Sequence, residues 1–149
     1  MSLTPGDIRQ FLRDYGPYNL LLDAVEFTVD DVNAAMRFTA MRYNALTPVS
    51  TFDKDNFPNE WLMLIGACAH LLQSEAFLQL RNQATYRDGD IENIGIDDKF
   101  SQYTQLSEKL AAEWRETAQK IKQQANMESA YGSLSSGYSW LRTGTRYIG

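Results

Sequence analysis

Few residues of this chain could carry chemistry. His70 is the only histidine and Cys68 the only cysteine, and they stand two residues apart in an apolar run. Residues i and i+2 of a helix point to different faces, so these two side chains cannot easily share a ligand. Zinc would need further Cys or His ligands, and the sequence has none. We therefore interpret His70 as a core imidazole and Cys68 as a small buried hydrophobic residue, without a metal site.

Acidic residues alternate around Gly89, at Asp88, Asp90 and Glu92. A calcium loop of the EF-hand type needs Gly at position 6 and Glu at position 12. Counting from Asp88, the glycine is misplaced and Lys99 takes position 12. We interpret the segment as a solvated turn. The sequence also has no phosphate-binding glycine loop and no Gly-x-Ser-x-Gly elbow, so it predicts neither an enzyme nor a cofactor.

The composition changes abruptly at Tyr131. Residues 131–149 are rich in Gly and Ser, which form helix poorly, and contain no acidic residue. They also carry more large apolar side chains than a solvating linker needs, and aromatic anchors bring contact area with few rotors to immobilise. We predict an extended C-terminal docking arm over 131–149, which either folds back on its own domain or reaches a neighbouring subunit or partner. The predicted partner-binding residues are Tyr131, Tyr138, Trp140, Leu141, Arg142, Arg146, Tyr147 and Ile148.

Charge is distributed unevenly between this arm and the rest of the chain. The 149 residues are 44% hydrophobic and 22% charged, as in a globular domain, and sum to a net charge of −5. The arm holds two arginines and no acid, which leaves about −7 on residues 1–130. This balance argues against neutralisation of a phosphate backbone over a wide surface. A basic aromatic arm on an acidic body suits docking to an acidic groove, which could belong to an identical neighbour.

The elements that must position these residues are mainly helical, and we predict a small helical bundle over 1–130. Thr4-Pro5 starts a first helix that Gly16-Pro17 stops, and the segment 18–27 holds a core cluster of leucines at 20–22. Thr28 and Asp31 form a capping-box pattern for a second helix, which ends at about Asn44 before a loop over 45–58.

The second half of the chain predicts two longer helices. The first runs from 58 or 59 to about 82. Apolar residues surround it from 61 to 72, so we predict that it is the central helix of the bundle. Beyond Gln73 it becomes amphipathic, with Phe77, Leu78 and Leu80. The apolar run from 61 to 72 is too short for a membrane span, which needs roughly 20 residues. Asp88-Gly89 predicts a short hairpin-like loop over 84–96. A last helix follows from 97 or 98 to about 127; its stripe is Phe100, Tyr103, Leu106 or Ser107, Leu110, Trp114, Ala118, Ile121 and Ala125.

This order of parts resembles the head-to-tail connector proteins (adaptor, head-completion or neck proteins) of tailed bacteriophages. Four features carry the resemblance and cover most of the chain. They are the capped helix from Phe27-Thr-Val-Asp-Asp, the central helix from Trp61-Leu-Met-Leu-Ile-Gly, the loop after Leu80-Arg-Asn-Gln-Ala that precedes a long amphipathic helix, and the arm from Tyr131. They are patterns of helices, loop and arm rather than invariant motifs.

The resemblance implies a structural virion protein. Its copies would form a dodecameric ring beneath the portal protein, with the arms bound to portal subunits and the opposite face bound to the next neck or tail protein. DNA would pass through the channel without sequence-specific binding. The protein would assemble in the host cytoplasm and reside at the head-tail junction of the virion, with no membrane contact.

Two alternatives from other classes stay open at this point. A tail-completion or tail-terminator subunit would form rings that bind tail tubes but not portals. A small DNA-binding regulator would use the helix pairs near 28–44 and 61–82 and would bind DNA with a strong salt dependence.

Overall fold

The computed structural model describes residues 3–19, 24–82 and 99–141 and contains four helices there. They are α1 (Pro5–Leu12), α2 (Val29–Asn44), α3 (Glu60–Asn82) and α4 (Lys99–Leu141). No strand occurs within these ranges. The predicted class, a mainly α bundle, is confirmed. The predicted leucine cluster at 20–22 and the hairpin-like loop at 84–96 lie outside the described residues.

Local sequence signals determine where α1 and α2 begin. Thr4 and Thr28 each accept a hydrogen bond from the backbone N–H three residues on, while Asp7 and Asp31 accept from the cap backbone in return. Both predicted N-termini are therefore confirmed. α1 ends earlier than Gly16-Pro17 predicted, because Arg13 adopts the left-handed conformation (φ 59°) and closes the helix after Leu12.

α3 is the central helix, and α1, α2 and α4 all pack on it. Side chains from Leu62 to Leu72 are largely buried, in agreement with the prediction. By length and composition a stretch of α3, Glu60–Arg81, could also cross a membrane, but 61% of its most apolar window is buried inside the bundle. The core helix of a soluble protein meets the same criterion, so this feature is weak evidence for a membrane.

The closest approach in the bundle occurs at Gly66 in the middle of α3. A Cβ atom there would lie 2.6 Å from Nε1 of Trp114 on α4, and nearer still to the Thr39 methyl group on α2. Trp114 and Thr39 are both buried, so neither can move aside. The glycine therefore permits two helices to contact α3 at one level.

These contacts make α2 and α4 antiparallel to α3. Phe38 lies beside His70, Thr39 beside Gly66, and Tyr43 clusters with Leu62. Residue numbers thus increase along α2 as they decrease along the facing part of α3. On the other side, Leu72 and Tyr103 line one groove, Trp114 meets Gly66, and Ala118 clusters with Leu62 and Ile65. The end of α3 at Asn82 thus lies beside the start of α4.

A buried carboxylate fastens the segment before α2 to the end of α1. Asp14 is 3% exposed and accepts hydrogen bonds from the backbone N–H groups of Glu26 and Phe27 at 2.6 and 3.0 Å, and from the Asn19 side chain at 2.7 Å. Arg9 donates to the Phe27 carbonyl at 2.8 Å. Phe27 is thereby placed in the core.

The last helix extends further than the sequence predicted. Its stripe is confirmed at Trp114 and Ala118, and Ser107 rather than Leu106 is the buried member. Ala125, in contrast, is exposed. The predicted end near Met127 is wrong, because the helical backbone continues through Tyr131 to Leu141.

We predict that Gly66→Ala destabilises the protein although alanine favours helix over glycine by about 0.5–1 kcal/mol. The added methyl group overpacks the contact with Trp114 and Thr39, which costs about 1–3 kcal/mol. Urea denaturation followed by circular dichroism measures the change. Gly6→Ala is the matched control, because its Cβ would meet only the Thr4 hydroxyl at an ordinary 3.5 Å. The prediction fails if the two variants are equally stable.

We also predict a pH-dependent cost for Asp31→Asn. Hydrogen bonds from Thr28 hold the pKa of Asp31 below its ordinary value. A carboxylate with a lowered folded-state pKa stabilises the fold fully above its unfolded pKa of about 4, and this contribution disappears as the pH falls through the folded pKa. Asp31→Asn should therefore be less stable than wild type by about 0.5 kcal/mol at neutral pH.

The difference in the free energy of unfolding between wild type and Asp31→Asn should become smaller at acidic pH. Asp30→Asn removes the same charge from the same helical turn without removing the capping hydrogen bonds, and is the control. Equal deficits for the two variants at every pH would contradict the assignment.

Candidate functional site

The predicted site residues divide between the last helix and the part of the chain beyond it. Tyr131, Tyr138, Trp140 and Leu141 lie on the backbone of the last turns of α4. The other predicted residues, Arg142, Arg146, Tyr147 and Ile148, lie outside the described residues. The predicted arm boundary at Tyr131 falls inside a continuous helix.

The helical backbone brings some of these positions to one side and separates others. Positions 131, 134, 138 and 141 are three or four residues apart and so share one face of a helix; they hold Tyr, Leu, Tyr and Leu. Trp140 is nine residues from Tyr131, a rotation of about 180° at 3.6 residues per turn. The arm therefore has an apolar stripe on one side and a tryptophan position on the other.

α4 leaves the bundle after Lys122. Lys122 is buried, whereas residues 123–130 are all exposed. We call residues 123–141 the arm helix and residues 142–149 the C-terminal tail. At 1.5 Å per residue the arm helix is about 28 Å long. A C-terminal arm that projects from the bundle is thus present, as predicted, with a helical backbone as far as Leu141.

Lys122 fixes the point at which the arm helix departs. Its Nζ donates to the Pro48 carbonyl at 2.7 Å and to the Ser50 hydroxyl at 2.6 Å, and lies 4.3 Å from the centre of the Tyr43 ring. Burial lowers the pKa of Lys122 from its ordinary value. The loop after α2 is therefore attached to α4 by a charge-assisted contact that sequence reasoning did not identify.

A groove of about 660 Å³ lies at the opposite end of the bundle, between the N-terminal half of α2 and the C-terminal half of α3. Exposed apolar side chains line it, including Phe38, Phe77 and Leu78. Its acidic residues are Glu26, Asp31 and Glu75, and its one arginine is Arg81. We call this feature the α2–α3 groove.

The α2–α3 groove corrects the prediction for the end of α3. Beyond Gln73 the sequence predicted an amphipathic helix whose apolar residues are Phe77, Leu78 and Leu80. The structure exposes all three, with Phe77 57% exposed, and buries Glu75 and Ala76 instead. Amphipathic spacing indicates which residues share a face but not which face the neighbouring helices cover.

A second exposed aromatic feature joins α1 and α3. Phe11 and Trp61 meet edge to face with ring centres 6.0 Å apart, and Trp61 is 51% exposed. This corrects the prediction that α3 is buried all round from residue 61. We call this pair the Phe11–Trp61 patch.

His70 and Cys68 face different surroundings, as predicted. Cys68 is fully buried, and burial raises its pKa to about 12, so the thiol is not a nucleophile at neutral pH. His70 is half-buried rather than a core residue and lines the α2–α3 groove, 5.0 Å from the Phe38 ring. Burial, and secondarily Arg42, lowers the pKa of His70, so its imidazole is neutral at pH 7. Among the described residues, no three His, Cys, Asp or Glu side chains cluster to hold a metal ion.

Comparison with known proteins adds no identification. No protein-family model, no curated protein and no solved structure matches this chain. The function is therefore argued from the arm helix, the α2–α3 groove and the sequence.

We predict that Lys122→Met destabilises the protein by about 2 kcal/mol, because it removes two hydrogen bonds from a charged donor and leaves the Pro48 carbonyl without its partner. Methionine retains most of the apolar stem. Chemical denaturation gives the free energy, and faster hydrogen exchange in the loop over 45–58 should accompany the loss. Lys120→Met is the control, because its bond to Glu116 is an exposed ion pair that contributes little. Equal effects of the two variants would contradict the role given to Lys122.

Proposed function

We propose that this chain is a structural virion protein, a ring-forming adaptor that joins the portal of a phage capsid to the neck or tail. The observation that carries the proposal is the arm helix, which projects from the bundle with residues 123–130 exposed. The resemblance in the order of helices, loop and arm supplies the class of protein. The work proposed is mechanical, namely assembly, docking and a continuous conduit, and not catalysis.

A projecting helix of this kind needs a partner surface. α4 has 43 residues and α3 has 23, so α4 is about 65 Å long and α3 about 35 Å at 1.5 Å per residue. Most helical stability in proteins comes from packing of an apolar face. Positions 131, 134, 138 and 141 supply such a face beyond the end of the bundle. We assign this face and Trp140 to contact with portal subunits.

The charge of the body supports a role in the DNA conduit. Residues 1–130 sum to about −7, and like charge repels phosphate, which favours sliding of DNA over tight binding. In the proposed ring the helical bundles form the wall of the channel.

We predict that deletion of residues 131–149 leaves the bundle folded but abolishes binding to the purified portal encoded in the same genome. The described buried residues of α4 end at Lys122, so the deletion removes none of the described core. Circular dichroism checks the fold, and light scattering with and without portal checks binding. Within the arm, Trp140→Ala should weaken docking by about 2 kcal/mol, as expected for an interface anchor.

Trp61→Ala is the control for Trp140→Ala, because it removes an exposed tryptophan from the bundle and not from the arm. Unchanged portal affinity after the deletion would refute the docking role of the arm. Rings that bind tail tubes but ignore portals would indicate a tail-completion subunit. Strongly salt-dependent DNA binding would indicate a regulator.

A further inference from the structure

The C-terminal tail cannot reach the α2–α3 groove of its own chain while α4 is helical. Gly66 and Trp114 mark one level of the antiparallel pair. From that level, Ser74 in the groove lies about 12 Å along α3, and Leu141 lies about 40 Å along α4 in the opposite direction. Eight residues span at most about 28 Å when fully extended. An occupant from residues 142–149 must therefore come from another copy.

The groove and the tail have complementary chemistry. The groove combines the exposed rings of Phe38 and Phe77 with the carboxylates of Asp31 and Glu75 and a single arginine, Arg81. The tail combines two arginines with Tyr147 and Ile148 and has no acidic residue. Opposite charge favours encounter, and an aromatic anchor in an apolar groove supplies the contact energy.

The segment that follows α3 along the chain has a charge that suits the α2–α3 groove less well than the charge of the tail. Residues 83–98 contain five acidic residues and one arginine, so like charge would oppose their insertion among the carboxylates of the groove. Charge thus distinguishes the tail from the nearer segment.

We propose that the α2–α3 groove binds the C-terminal tail, residues 142–149, of a second copy of this chain. The contact is heterologous, because it joins the tail end of one bundle to the groove end of the next, and such contacts generate rings when the rotation closes. The inference assigns the contact between copies that the proposed ring requires, and in this sense rests on the proposed function. The arm helix between bundle and tail stays available to the portal.

Photo-crosslinking in the absence of portal tests the contact. Tyr147 is replaced by p-benzoylphenylalanine in the full-length chain, and isotopically light and heavy protein are mixed, crosslinked and digested. We expect light–heavy links from the tail to peptides that contain Phe38 or Phe77. Links confined to one copy, links to surfaces away from the groove, or no light–heavy link at the highest soluble concentration would overturn the proposal.

Charge reversal tests the electrostatic part. Arg142→Glu combined with Arg146→Glu should weaken self-association at least about tenfold, because each change places a carboxylate against the acidic groove. Lys109→Glu combined with Arg115→Glu makes the same change in net charge on exposed positions of α4 and should alter self-association less than about twofold. If the two double variants weakened self-association equally, the charge of the tail would not be responsible for the contact and the proposal would be contradicted.

The groove can be tested from its own side by Phe77→Ser, which changes an exposed residue and should spare the fold. It should weaken self-association and reduce the tail–groove links together, and retention of both would overturn the proposal. None of these measurements uses portal. If the full-length protein formed the tail–groove crosslinks but did not bind the portal, the proposed function would be contradicted and the tail–groove contact would stand.

Discussion

The structure depends on the absence of a side chain at Gly66. At this level of α3 the Thr39 methyl group approaches from α2 and the Trp114 indole approaches from α4, and together they occupy the space that a Cβ atom would take. Trp114 is 3% exposed, and the Arg42 guanidinium lies over its ring, 4.7 Å from the ring centre. Close packing of this kind fixes how deeply each helix sits and leaves no room for gradual adjustment.

The crossing at Gly66 also determines where the surfaces of the molecule lie. Because α4 runs antiparallel to α3, it passes Lys122 at one end of the bundle and continues there as the arm helix. The C-terminal half of α3 reaches the other end, where Phe77 is exposed and the α2–α3 groove opens. The arm helix and the α2–α3 groove therefore lie at opposite ends of the bundle, an arrangement that is consistent with the proposed head-to-tail contact.

Sequence reasoning succeeded where short-range interactions decide the structure. The capping box of Thr28 and Asp31 involves only neighbours within one turn, so its pattern predicts the start of α2 correctly. The exposure of Phe77 and the burial of Glu75 depend on which side of α3 the other helices cover, and amphipathic spacing alone cannot supply that information. The arm was predicted from its composition, whereas the helical backbone of residues 131–141 was not.

That disagreement bears on how the arm works. Residues 131–141 include two glycines and four serines, which together disfavour helix by about 4 kcal/mol relative to alanine. The helical backbone of residues 131–141 therefore has little support from the intrinsic preferences of its own sequence. In the proposed adaptor, a portal subunit that packs on positions 131, 134, 138 and 141 would supply free energy for this helix at the moment of docking. Affinity for the portal and helix stability in the arm would then be two measures of the same proposed contact.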